Sequence, residues 1–324
     1  MFAVTADRID TDNPLEGLGL GDRSDPQQPE GWTTVRVRAA ALNHHDLWTL
    51  RGVGISPERL PIVLGCDAAG IDADGREVIV HAVIGDPARG RGDETLDPKR
   101  TLLSEAHDGT LAELVAVPAR NVVPKPPELS WVEAACLPTA WLTAYRMLFT
   151  KSGLADGDTV LVQGAGGGVA TAAIALAKAG GFRVWVTGRD EAKRDRAVKL
   201  GADAAFEPGA RLPERVDAVI ETVGAATWSH SLKSLRPGGR VVVCGATSGA
   251  NPPADLNRVF FLQLEVVGST MGTLAELEAV AALCASSGIR PLVDSTFGLR
   301  EARRAFERLE SGESFGKIVL TNDT

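Results

Sequence analysis

Two stretches of the chain carry residue types that could do chemistry. Residues 160–181, VLVQGAGGGVATAAIALAKAGG, pass from an apolar run through a glycine cluster into an alanine-rich, apolar-periodic segment. This spacing reads as strand, tight turn and helix. Glycines let the backbone approach a pyrophosphate, and the first N–H groups of the helix, at the positive end of its dipole, face the anion. A second β-like run at residues 182–187 follows, with Gly188, Arg189, Lys193 and Arg194 just beyond it. In a dinucleotide-binding unit the adenosine ribose lies there. The other stretch, ALNHHDLWTLRG, sets Asn43, His44, His45 and Asp46 side by side. An amide can donate to a developing oxyanion, an imidazole can pass a proton near neutral pH, and a carboxylate can orient a neighbour. Asn and Asp also favour turns and caps for purely local reasons.

The four cysteines, Cys66, Cys136, Cys244 and Cys284, form no CxxC pair. A disulfide framework and a structural zinc site are therefore not expected, and Cys136, Cys244 and Cys284 read as small buried hydrophobes.

Elements must position these groups. The first thirty residues are rich in Gly, Pro and Asp, with a short strand expected at residues 2–5. TTVRVRAA at residues 33–40 alternates like a half-exposed strand, and further β-like runs at 62–64, 78–83 and 111–117 complete a β-rich, barrel-like domain. The charged stretch at 85–106 lacks periodicity and is expected as a solvated or functional loop. PKPPELS from Pro124 reads as a hinge where the domains join, with Ser130 as helix N-cap and Glu133 as its capping-box partner. Pro138 ends or kinks the helix that follows. Strands at 159–162, 183–187, 218–221, 240–244 and 265–268 alternate with helices at 170–179, 191–200, 227–235 and 274–286. That alternation gives a parallel sheet covered on both faces, a doubly wound α/β domain. Tyr145, the one tyrosine, lies in an apolar helical run and is expected to pack. The tail gives a helix and a closing strand able to return to the first domain.

A length of 324 residues suits two such domains, and 44% hydrophobic with 23% charged residues is the composition of a soluble globular chain. The net charge of −8 argues against nucleic-acid or membrane-surface partners. MFAVTADRIDTD lacks the pattern of a targeting segment, so a cytoplasmic protein is expected.

The stretches AALNHHDLWTLRG, LPIVLGCDAAG, DGTLAELVAVP, LPTAWLTAYRML, the glycine-rich run, LRPGGRVVVCGATSG and GESFGKIVL resemble, in order and spacing, the medium-chain dehydrogenase/reductase superfamily, specifically its quinone oxidoreductase-like branch. The resemblance covers nearly the whole chain. It implies a GroES-like β-barrel catalytic domain at residues 1–123, completed by 291–324, and a Rossmann domain at 124–290, with the active site in the cleft. It aligns the nucleotide fingerprint on Ala165, Gly167 and Ala170. It further implies Thr143, Gly166, Gly168, Val169, Val223, Gly245, Ala246 and Thr270 at the cofactor, with Lys317 close to it. The edge run EVVGSTMG would pair between subunits of a homodimer.

Departures from the superfamily pattern decide the chemistry. In its zinc alcohol dehydrogenases a cysteine ligand stands where this chain has Asn43, a Gly-His-Glu stands where it has Gly65-Cys66-Asp67, and the third ligand falls near Thr139. Asparagine and threonine are poor zinc ligands, so no catalytic metal is expected. His44, His45 and His81 with Cys66 are the remaining route to a metal site. The second strand ends in Thr187 and Gly188, with no acid at the place that accepts from a ribose 2′-hydroxyl. Arg189 and Lys193 could pair with a 2′-phosphate, so NADP(H) is the expected cofactor. The sequence therefore describes an NADPH-dependent enzyme that passes hydride to a small quinone or activated alkene, with Asn43 as oxyanion donor and Asp46 in support. A zinc-dependent alcohol dehydrogenase and a weakly catalytic NADPH-binding sensor are the alternatives.

Overall fold

A computed structural model describes residues 1–322 of the chain; Asp323 and Thr324, the end of the expected closing segment, lie outside it. The chain divides into two units, Trp141–Met271 and, around it, Met1–Ala140 with the segment from Gly272 onward. The joins therefore fall later than 123/124 and earlier than 290/291. The reason is packing. Helix Trp131–Ala135 lies on strands Trp32–Ala41 and Asp67–Ile71, and helix Leu274–Ser287 lies on strand Val122–Pro124, so both helices bury their apolar faces in the first unit. Ser130 and Glu133 do form the reciprocal cap ahead of Trp131–Ala135. Pro138, which has no N–H to donate, sits in a widened π-type turn at Leu137–Trp141.

The first unit is built around strand Trp32–Ala41. Val35, Val37 and Ala39 are buried in alternation with Thr34, Arg36 and Arg38. The sheet runs Val122–Pro124, Glu77–Val80, Asp67–Ile71, Trp32–Ala41, Lys317–Thr321, Val293–Gly298, with Leu114–Pro118 also on Trp32–Ala41. The chain end thus returns, as the sequence implied: Val319 pairs with Ala41 and Leu320 with Ala40. The stretch at 85–106 is not the solvated excursion expected for so charged a segment. Glu94, Thr95 and Asp97 are buried, Asp93 caps a turn at Glu94–Leu96, and Glu94 Oε1 accepts the Leu274 N–H at 2.6 Å. Its charge is spent on helix and turn N–H groups, a use that periodicity cannot reveal.

The second unit is a six-stranded parallel sheet in the spatial order Ala204–Phe206, Arg183–Thr187, Thr159–Gln163, Val216–Glu221, Leu235–Val243, Glu265–Gly268. In chain order this is 3-2-1-4-5-6, the doubly wound arrangement. Its central strands are fully buried at Val160, Leu161, Val162, Val219 and Ile220. Helices Gly168–Ala179, Glu191–Leu200 and Ala225–Ser234 follow strands one, two and four. The direction of winding reverses between Thr159–Gln163 and Val216–Glu221. Ligands of such sheets bind at the C-terminal ends of the strands there. No helix among the described residues is long and apolar enough to cross a membrane.

Candidate functional site

In the second unit the glycine cluster opens directly from the first strand. Gly164 takes φ +88°, a conformation that costs other residues strain, and Gly167 is the N-cap of helix Gly168–Ala179. The left-handed residue is therefore Gly164, one place before the Ala165 of the aligned fingerprint. Sequence reading passed over it, although a glycine ending an apolar strand was a usable signal. A side chain at Gly188 would lie 2.9 Å from the Ala165 Cβ, so the ends of strands one and two need a glycine to approach this closely. Thr222 and Gly224 likewise meet Gly245 and Ala246: a Cβ on Gly224 would sit 2.9 Å from the Ala246 Cα, and one on Gly245 would sit 3.1 Å from the Thr222 carbonyl oxygen. Gly166, Gly168 and Val169 follow Ala165 into the helix. Thr143 is buried on helix Leu142–Tyr145, which packs on Gly168–Ala179, and Thr270 is exposed beyond the edge strand. Tyr145 stacks near Phe149 at 4.8 Å, as a packing residue would.

At the end of strand two, Arg189 is exposed. Arg194 donates to the Gly188 carbonyl at 2.8 Å and to the Arg189 carbonyl at 3.1 Å, bracing this turn. Three acids lie near this turn: the Asp190 carboxylate accepts the Lys193 N–H at 2.9 Å as helix cap, Glu191 opens the helix, and Glu207 pairs with Arg194 at 3.6 Å. Below the turns lies a buried polar network that the sequence did not disclose. Gln163 accepts from Thr187 Oγ1 at 2.5 Å and donates to Ser231 Oγ at 3.0 Å. Its amide also contacts His230 Nδ1 at 3.0 Å. Glu221, fully buried, takes the N–H groups of Val223 and Gly224 at 2.8 and 3.0 Å and the hydroxyls of Thr227 and Ser231. These bonds fix the three strand ends that a dinucleotide would meet.

The first unit gathers Asn43, His45, Asp46, Cys66, Asp67, Glu105 and Lys317. Asp46 opens helix His44–Leu50 by accepting the Asn43 N–H at 2.8 Å, the local capping role that its type allows. The Asn43 side chain turns the other way. Its Nδ2 donates to Asp67 Oδ2 at 2.9 Å and makes a long 3.4 Å contact with the Ala41 carbonyl. Its Oδ1 accepts from Lys317 Nζ at 2.6 Å. Lys317 also donates to the Leu42 carbonyl at 2.7 Å and to Asp67 Oδ2 at 3.0 Å. Lys317, which the resemblance assigned to the cofactor, is thus turned into the first unit.

His45 Nε2 lies 2.9 Å from Glu105 Oε1, and Nδ1 lies 3.5 Å from Cys66 Sγ. Burial works against a charged His45, while the hydrogen bond to the Glu105 carboxylate favours the imidazolium, and the balance lies above the usual histidine range. His44, its neighbour, is exposed. Burial pushes the Cys66 thiol up, so it stays protonated, donating to the Leu103 carbonyl at 3.3 Å. Burial also lifts Asp46 to about 6, with His45 and the Asn43 N–H pulling the other way.

These donors do not fit a catalytic zinc. Among the described residues no group of three or more His, Cys, Asp or Glu is placed to hold a metal. The Asn43 amide is engaged by Lys317 and Asp67, Cys66 is a buried thiol, and the Thr139 hydroxyl is buried without a partner. His81, the third candidate histidine, faces Glu94 at 3.5 Å instead.

Comparison with known proteins agrees with this architecture. Residues 29–127 match the alcohol dehydrogenase GroES-like domain family, and residues 168–286 match the zinc-binding dehydrogenase family. An acryloyl-coenzyme A reductase of Metallosphaera sedula is 30% identical, over 94% of this chain and 97% of that protein. A solved NAD-dependent alcohol dehydrogenase superposes with a TM-score of 0.91 at 34% identity, covering 99% of this chain and all of the other. The 2-octenoyl-CoA carboxylase reductase CinF, solved with NADP and 2-octenoyl-CoA, superposes with a TM-score of 0.91 at 26% identity, covering 99% of this chain and 87% of that one.

Proposed function

The chain belongs to the medium-chain dehydrogenase/reductase superfamily, and from that premise we propose that it is an NADPH-dependent reductase of alkenes conjugated to a carbonyl, working without a catalytic metal. The observation that carries the cofactor reading is the end of strand two. Thr187 and Gly188 close the strand with no acid at the strand end itself, Arg189 is exposed beside them, and of the acids that follow, Asp190 is spent on a helix N–H and Glu207 pairs with Arg194. No carboxylate stands at the strand end where an acid would accept from a ribose 2′-hydroxyl, and a guanidinium is at hand to pair with a 2′-phosphate. The Gly164–Gly168 turn, Val223, Gly245 and Ala246 hold the dinucleotide in this reading, with Thr143 and Thr270 at its nicotinamide half. Bound NADPH supplies the hydride.

The first unit supplies polar groups for the acceptor. When an enone or enoyl thioester takes hydride at its β-carbon, charge gathers on the carbonyl oxygen and a proton must reach the α-carbon. Asn43 keeps one Nδ2 hydrogen on the long contact with Ala41, and that hydrogen is the candidate oxyanion donor. Asp46 holds the Asn43 backbone in place. His45, kept charged by Glu105, is the better proton source of the two histidines. Support for the substrate class comes from the acryloyl-coenzyme A reductase relative and from the CinF complex with 2-octenoyl-CoA.

The test is NADPH oxidation with crotonyl-CoA, a simple enone, a benzoquinone and a primary alcohol with NADP⁺, on protein of measured zinc content. Turnover of the alkenes by zinc-free protein is expected. Alcohol oxidation that tracks zinc content would instead favour the alcohol dehydrogenase reading, for which the 34% identical neighbour speaks. Cofactor binding with no turnover would favour a sensor. We also propose a cytoplasmic homodimer joined along strand Glu265–Gly268, an unpaired sheet edge flanked by exposed Leu256, Phe260, Phe261 and Val266.

A further inference from the structure

The sequence resemblance sets Asn43 where zinc alcohol dehydrogenases have a cysteine ligand, and in this chain an ammonium ion stands beside that residue. Lys317 is 3% exposed. Its three N–H bonds have three acceptors: Asn43 Oδ1 at 2.6 Å, the Leu42 carbonyl at 2.7 Å and Asp67 Oδ2 at 3.0 Å. An ammonium has only three donors, so none is left for a cofactor phosphate. Asp67 is fully buried, and its second oxygen, Oδ1, has no protein partner. A carboxylate in that position is costly unless a cation stands beside it. The chain delivers that cation through its tertiary fold. Pairing of Val319 with Ala41 sets strand Lys317–Thr321 against Trp32–Ala41 and lands Lys317 beside residues some 250 positions earlier in sequence, the separation between Lys317 and Asp67.

We propose that the Lys317 ammonium is the resident cation of this site: it neutralises Asp67 and fixes the Asn43 amide, as a positioning residue and not a cofactor ligand. The contact closes a ring, since Asn43 Nδ2 donates to the same Asp67 oxygen that Lys317 holds. With its protons committed, this cation orients neighbours but does not itself grip a substrate oxygen. The site therefore suits an acceptor already activated by conjugation. That last consequence rests on the proposed alkene reduction; the cation assignment does not.

The experiment compares the full-length wild type with Lys317→Ala and with the double variant D67N/K317A. Zinc content, thermal unfolding, NADPH binding by fluorescence titration, and kcat with crotonyl-CoA are measured with and without n-propylamine, which replaces the atoms removed by Lys317→Ala. The expected wild type carries far less than one zinc per chain. Lys317→Ala should unfold ~10 °C lower, because an isolated buried carboxylate remains. It should bind NADPH within about twofold of wild type and lose ~100-fold in kcat. Propylamine should restore both stability and kcat in part, and the double variant, with neither charge, should unfold well above the single one. One tightly held zinc per chain, unchanged unfolding in Lys317→Ala, or a double variant no more stable than the single overturns the assignment. So does about tenfold weaker NADPH binding with kcat intact, which would make Lys317 a cofactor ligand. If no protein in the set reduces any alkene, the functional reading fails, while zinc content, unfolding and amine rescue of unfolding still decide the cation.

Discussion

Replacing Asp46 by Asn tests the electrostatics of the first unit most directly. Asp46 is fully buried, one carboxylate oxygen accepts the Asn43 N–H, and the other has no protein partner. Burial raises its pKa from 3.8 to about 6. A carboxyl whose folded pKa is raised binds its proton more tightly in the folded chain than in the unfolded one. Stability therefore falls as pH rises between the two values and is flat outside them. A shift of this size corresponds to about 3 kcal/mol lost between roughly pH 4 and pH 6. Asn cannot ionise, so the variant lacks this loss. Its amide N–H groups face the place where Oδ1 is unpartnered, which adds a cost of about 1–3 kcal/mol that does not depend on pH. The quantity to read is the change with pH of the gap between variant and wild type. Native-state hydrogen exchange at Val35 and Val37, in the strand that anchors this unit, avoids assuming that both units unfold together. The variant should gain about 3 kcal/mol on wild type between pH 4 and pH 7. A gap that stays constant, or that moves the other way, would refute the claim that Asp46 is held as a costly buried carboxylate.

Four further outcomes follow from the same contacts. Gln163→Leu strands the Thr187 hydroxyl, Ser231 and His230 in a buried network, and should cost about 2–4 kcal/mol in chemical denaturation while weakening NADPH binding. Arg189→Ser should raise KM for NADPH about tenfold and leave KM for NADH within twofold; equal effects on the two would remove Arg189 from 2′-phosphate recognition. Glu105→Gln removes one of the groups that holds His45 charged, so the imidazole titration followed by NMR should move to lower pH, and the alkaline limb of the pH–rate profile should move with it. Phe260→Ser with Phe261→Ser removes two rings that are 67% and 79% exposed, and sedimentation should then report monomer where wild type reports dimer.

Much of the fold was legible because it rests on local regularities. Period-two alternation marked Trp32–Ala41, Ser130 and Glu133 announced their helix, and Glu191–Leu200 begins and ends where its periodicity does. Alternation of apolar strands with helices named the doubly wound sheet, whose strand order the structure then supplied. The glycine run told where a dinucleotide turn would be, though not that Gly164 is the residue with positive φ, because several adjacent glycines make composition uninformative about which one bends. The domain joins were misplaced because the proline-rich hinge is a local signal, whereas the allegiance of Trp131–Ala135 and Leu274–Ser287 is set by the sheet they bury.

The site divides in the same way. Sequence alone brought forward Asn43, Asp46 and Cys66, since their types stand at positions where relatives keep metal ligands or their neighbours. It could not say that the Asn43 amide is held at both ends, that Glu105 reaches His45 across 60 positions, or that Glu221 and Gln163 knit three strand ends together. These contacts join residues far apart in the chain, and nothing in a local pattern encodes a partner that arrives by strand pairing. Lys317 is the plainest case. Its motif, GKIVL, marks a closing strand, and only the pairing of that strand with Trp32–Ala41 decides that its ammonium ends beside Asp67 and is satisfied there. The sequence determined which turns, strands and caps form, because those are set within a few residues. The tertiary structure decided which charges neutralise one another, because burial makes each charge depend on whatever the fold places next to it.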